Sequence, residues 1–223
     1  LAAAGWIALL WGDAIALTDL GGTGTFDGGT VSIAGTSGGG SDGIAVATSS
    51  ATIGFGDTTI SGTSGSGIVL SANTGTVTFT GTTALTNPGA AGVAVTGTHG
   101  TIGFESLQIA LQSDNTTGVD LSAANLDAGF LATDFDLTST SPTGTTAINL
   151  TGTTSTGTVR FGDALVGGQD ATIAGAGGNA TGPTTGIQLA GANISNFIFG
   201  DGESSIDQGS RITATNRLDA STG

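Results

Sequence analysis

Cysteine, methionine and tyrosine are absent from these 223 residues, and so is lysine: the three basic residues are all arginines. Without cysteine there is no disulfide framework and no thiolate metal site. Only 3 basic residues stand against 17 acidic ones, for a net charge of −14. That balance excludes partners recognised through phosphate backbones, which need Lys and Arg. It equally disfavours electrostatic docking on anionic membranes. Charged residues of either sign make up 9%, against about 25% in an average soluble domain. Proline is scarce at 3, so turns must rest on Gly, Asn, Asp and Ser. The longest apolar run, at Leu1–Leu10, is too short to span a bilayer, and no membrane insertion is expected.

Glycine is plentiful at 42, and Thr, Ser and Ala fill most of the remainder. Disordered chains combine low hydropathy with high charge or much proline, whereas here the mean hydropathy is positive. A short phrase recurs through the chain. It reads ATIGFGD at Ala51–Asp57, GTIGFES at Gly100–Ser106, GTVRFGD at Gly157–Asp163 and SNFIFGD at Ser195–Asp201. Its phenylalanine serves as a marker: Phe26, Phe55, Phe79, Phe104, Phe130, Phe161 and Phe199, at intervals of 24 to 38 residues. Intervals of this size mark stacked supersecondary units. The residue two before the marker is usually apolar (Ile53, Val77, Ile102, Ala128, Val159, Phe197), and the one between is usually small or polar. This is the period-two alternation of a strand.

A second phrase follows the same rule, with inward pairs Ile44/Val46, Ile68/Leu70, Val93/Val95, Val119/Leu121, Ile148/Leu150 and Ile187/Leu189. A third strand lies between, holding Val31/Ile33, Thr58/Ile60, Thr83/Leu85, Ile109/Leu111, Phe135/Leu137, Ala171/Ile173 and Ile212/Ala214. The insertions fall at particular corners, such as Gly167–Asp170 and Gly175–Thr185, as in a solenoid. A β-sandwich has no need of one phrase at one corner in every repeat, whereas a parallel β-helix stacks each position on its counterpart one turn away. The fold expected is therefore all-β: a right-handed parallel β-helix (solenoid) of about seven turns, each of three short strands. At about 4.8 Å per turn the rod is on the order of 35 Å tall.

The termini carry expectations of their own. Leu1–Gly12 and Ala14-Ile15-Ala16 resemble a signal peptide and its cleavage box, but the basic flank is missing. Gly12–Thr18 fits the second phrase, with Ile15 and Leu17 inward. Residues 1–11 then read as an N-terminal cap or incomplete first turn, and 12–223 as a single β-helix domain. Arg211–Thr215 reads as a strand of the last turn, with no clear cap beyond it. Uncapped strand edges can pair with another chain.

Chemistry is sought first in the acids after the marker: Asp27, Asp57, Glu105, Asp163 and Asp201. Stacked, Asp57, Asp163 and Asp201 are candidate Ca²⁺ ligands through their oxygens. The reading preferred is that Asp suits a turn, since Thr80-Gly81-Thr82 breaks the ladder and no tandem calcium nonapeptide is present. Asp134 and Asp136 flank Phe135 on one strand face and form the best carboxylate pair for glycoside hydrolysis. His99, the single histidine, reads as a turn residue, and Arg160, alternating outward, as a surface residue. No catalysis and no cofactor are expected. Both tryptophans lie near the N-terminus, which leaves few aromatics for a glycan cleft.

With ATIGFGD…GIVLSAN and GTIGFES…GVDLSAA in view, the chain resembles bacterial β-strand-repeat surface proteins, large adhesins and autotransporter passenger regions, over about Gly12 to Thr215. The resemblance implies a β-helical stalk outside the cell with no shared catalytic residues. The function expected is an extracellular structural one: an adhesin shaft or self-stacking filament subunit. It would associate end to end or continue into more repeats of the same chain. The alternatives are a glycan-acting β-helix (lyase or depolymerase) and a Ca²⁺-stabilised glycan-binding module.

Overall fold

The computed structural model describes residues 12–22, 25–36, 38–140, 143–163, 171–175, 183–200 and 211–212. Among these residues there are strands and turns and no helix. The strands pair in parallel, each with its counterpart one repeat away, and stack into a β-solenoid of about five turns. Parallel pairing between repeats removes the antiparallel sandwich from consideration.

Three columns of strands build the walls. The second-phrase column runs Ile15–Thr18, Ile44–Ala47, Ile68–Ser71, Ala91–His99, Thr117–Asp120, Thr146–Asn149 and Thr185–Gln188. Its inward positions are those expected: Ile15 pairs with Ile44 and Leu17 with Val46, so the strand near the N-terminus belongs to the stack. The segment 1–11 lies outside the described residues. The glycine that opens the phrase has a steric cause. A Cβ at Gly43 would lie 2.6 Å from the Gly67 carbonyl oxygen, at Gly67 2.8 Å from that of Gly92, and at Gly92 2.7 Å from that of Gly118. Only a residue without Cβ lets successive turns approach so closely.

The marker strand and the third strand are separate in Thr25–Asp27 and Val31–Ala34, and again in Thr52–Phe55 and Thr58–Ser61. They fuse in the middle of the stack. Val77–Thr86, Ile102–Leu111 and Phe130–Ser139 are continuous strands of 10 residues each. Three short strands per repeat is thus an incomplete description, because ladder bonds to the turns above and below carry the chain through the bend. A further short column, within Ala91–His99, Ala124–Leu126, Thr154–Phe161 and Asn193–Phe199, occupies what the sequence reading treats as a corner.

The interior is apolar. Phe55, Phe79, Phe104, Phe130, Phe135 and Phe161 are fully buried among Ile, Leu and Val from all three columns. Their rings touch in series: 5.0 Å between Phe55 and Phe79, 4.6 Å between Phe79 and Phe104, 5.7 Å between Phe104 and Phe130, and 5.4 Å between Phe130 and Phe161. Offset and tilted pairs at such spacings contribute roughly 0.5–1.5 kcal/mol each beyond the area they bury.

The register corrects the sequence reading in three places. Phe26 pairs with Ile53, and Phe130 with Ile102 and Val159, so both occupy the column two residues before the marker. Ala132 takes the marker position of its turn, and Phe135 fills the space by packing edge-on against Phe161 at 4.9 Å. In the first case the marker position falls to Gly28, where a Cβ would lie 2.6 Å from the Phe55 ring. In the third-strand column the counterparts of Thr83/Leu85 are Leu107/Ile109, not Ile109/Leu111, and Ile212 pairs with Ile173.

Candidate functional site

The acids after the marker do not form one ladder. Asp27 pairs with Gly54 and lies off the column of Asp57. Its Oδ1 accepts the Gly29 N–H at 3.0 Å, closing a local turn. Between Phe79 and Thr82 the third turn holds one residue more than Phe104–Ser106 above it, so the register shifts there. Exposed carboxylates close over this extra residue from both sides. Asp57, from the turn below, accepts the Thr82 N–H at 2.9 Å, and Glu105, from the turn above, accepts the Gly81 N–H at 2.6 Å. The bulge thus leaves two main-chain donors unused by the ladder, and the two acids satisfy them. Asp163 is half-buried, and Asp201 lies outside the described residues. Among the described residues no three His, Cys, Asp or Glu are grouped so as to hold a metal ion.

Other acids serve the main chain in the same way. Asp42 Oδ1 accepts the Ser66 N–H at 2.6 Å, while the Asp42 N–H donates to Asp13 Oδ1 at 2.9 Å. Burial raises the Asp42 carboxyl above its ordinary value; the Ser66 N–H opposes this and the Asp13 charge adds to it. Asp120 accepts the Ser122 N–H at 3.0 Å and the Asn149 amide at 3.2 Å, and Asn149 in turn accepts the Thr151 N–H.

Asp134 and Asp136 do share a face. Asp134 Oδ2 accepts the Ser106 hydroxyl at 2.7 Å. Asp136 lines a shallow groove of about 350 Å³ on the outer wall, with Ala84, Gln108 and Thr172 as its counterparts in neighbouring turns. Its carboxyl is raised first by partial desolvation and then by the Asp134 charge, while the Thr172 hydroxyl pulls it back. Two acids two strand positions apart, each bound to a hydroxyl of an adjacent turn, form a cross-strand polar contact. The groove was not legible in the sequence, because its lining comes from four successive repeats.

Arg160 faces outward as expected, in line with Gly103, Leu131 and Ile198. Its Nε is buried without a hydrogen-bond partner, and Leu131 beside it is 37% exposed. His99 departs from the expectation of a turn residue. It is 1% exposed and closes the strand Ala91–His99 from inside the solenoid. Its Nε2–H donates to the Thr96 carbonyl at 2.8 Å, and its Nδ1 is buried with no partner. Burial lowers its pKa from 6.5, and the bond to Thr96 opposes this. No family model matches this chain, and neither a curated protein nor a solved structure matches it.

Proposed function

We propose that the protein is an extracellular structural element, the β-helical shaft of a bacterial adhesin or a self-stacking filament subunit, without catalysis. The winding is right-handed, as parallel crossovers are, and the full stack runs to about seven turns on the repeat intervals. The reading rests on how the acids are used. Asp27, Asp42, Asp57, Glu105 and Asp120 each accept a main-chain N–H of a turn. These carboxylates are spent on holding corners, which leaves them poorly placed for Ca²⁺ or for sugar chemistry. Load passes along the rod through the parallel main-chain ladder, and a strand edge at the end of such a rod pairs readily with another chain or further repeats. A low-charge, cysteine-free surface of Thr, Ser and Gly suits a cell-surface location.

Negative-stain imaging of purified protein at neutral pH tests this. Rods that lengthen end to end with concentration are expected. Discrete monomers that release unsaturated sugars from acidic polysaccharides would overturn it in favour of a lyase or depolymerase.

A further inference from the structure

Along one interior corner the stack is polar. Ser49, Asn73 and His99 follow each other there, tied by the Gly75 N–H to the Ser49 carbonyl, the Gly100 N–H to the Asn73 carbonyl, and the Asp127 N–H to the His99 carbonyl. The lower two are fully partnered. Asn73 accepts the Ser49 N–H at 3.0 Å and donates to the Val46 carbonyl at 2.8 Å, and Ser49 accepts the Leu20 N–H at 3.2 Å. His99 is not: with Nε2–H held by Thr96, its Nδ1 is buried without a donor. Above it in register come Leu126 and then Ser155.

We propose that His99 is an acid-sensitive breakpoint: protonation of its imidazole opens the stack at the Gly97–Gly100 corner and parts the turns below from those above. The neutral ring carries its proton on Nε2 and fits. A proton from solvent can add only at Nδ1, creating a buried cation whose new N–H has no acceptor, and such a group must be hydrated or neutralised. Among the described residues, the surrounding elements offer no counter-charge. The segment 72–76 below carries no ionisable residue. From above, Asp127 is exposed and meets His99 only through its main-chain N–H. Asp120 is bound to Ser122 and Asn149, and Glu105, farther along the chain, to Gly81. Hydration therefore requires the corner to open. In a solenoid each turn is held only by its neighbours, so an opening in mid-stack divides the rod.

The sign follows from linkage. The folded-state pKa of His99 lies below 6.5, so the open state binds the proton more tightly. Stability is full above that value and falls as pH drops, the opening constant rising by up to about tenfold per pH unit until the folded-state pKa is passed. Hydrogen exchange at pH 7.0, 6.0 and 5.0 reads this directly, as protection factors corrected for the intrinsic pH effect. Protection at 97–103 and 124–128 is expected to fall below pH 6.5, by up to about tenfold per unit, until the folded-state pKa is passed. In His99→Leu, which borrows the residue standing one turn above, it should stay constant. If His99→Leu does not fold, His99→Asn, which copies Asn73 from one turn below, takes its place. Because His99 is the single histidine, its ring protons also report its pKa in the wild-type protein by NMR. A ring that titrates at or above 6.5, or acid loss of protection in the variants equal to wild type, would overturn the proposal.

Discussion

At the residue scale, each turn carries local costs that the stack must overcome. Asp19, Thr48, Ala72 and Ala123 adopt left-handed backbone with φ of 57°, 51°, 53° and 58°. They stand at the same corner after the second phrase, where each N–H donates to a carbonyl of the next turn. A left-handed residue other than glycine costs about 1–2 kcal/mol, so the corner geometry is imposed by the ladder and not by local preference. The acid pair on the outer wall imposes a smaller cost of the same kind. Because the folded-state pKa of Asp136 is raised, its contribution favours folding at pH below the unfolded value of 3.8 and is lost as pH rises through the folded value. Asp136→Asn mimics the protonated form. It should raise the urea midpoint at pH 7 relative to wild type, and the gain should vanish at pH 3. An equal gain at both pH values would mean that charge is not the cause.

At the element scale, the aromatic column holds the walls together. Phe104 is 2% exposed and touches rings both below and above it, at 4.6 and 5.7 Å. Phe104→Ala should cost about 3–5 kcal/mol, because the stacked turns cannot collapse into the void. Leu131→Ala, on the exposed face of the same wall, should change stability by no more than about 0.5 kcal/mol. Urea unfolding of the two variants checks the contrast, and similar losses for both would contradict the assignment of inside and outside. The fused strands of the middle turns add rigidity. There, ladder bonds run on both sides of Val77–Thr86, Ile102–Leu111 and Phe130–Ser139.

At the scale of the whole molecule, the net charge is −14, and among the described residues Asp13, Asp27, Asp42, Asp57, Glu105 and Asp120 each accept a main-chain N–H. A Ca²⁺-stabilised solenoid would need those carboxylates free to converge. Thermal melting in the presence of EDTA, and of millimolar Ca²⁺, should therefore give the same midpoint. An upward shift of several degrees with Ca²⁺ would reinstate a metal ladder. Acid acts with two signs: carboxyls with raised pKa favour the folded state as they protonate, while His99 disfavours it as pH falls below 6.5.

Much of this architecture was legible without coordinates. Apolar alternation with period two names the inward face, and the return of a phrase at a constant corner requires parallel stacking. What alternation leaves open is which rung meets which. A slip of one residue would turn every core side chain outward, but a slip of two preserves the inward face. For that reason Phe26 and Phe130 looked like marker positions and are not. Their places were settled by ring volume, with Gly28 and Ala132 making room and Phe135 filling what Ala132 leaves. The acids after the marker were visible as a motif, but the main-chain donors that Asp57 and Glu105 satisfy come from other turns, separated by about one repeat along the chain. His99 looked like a turn residue because glycines flank it. Only the closing of the solenoid around that corner placed its ring inside, where the energy of a charge depends on what surrounds it in space and not on its neighbours in sequence.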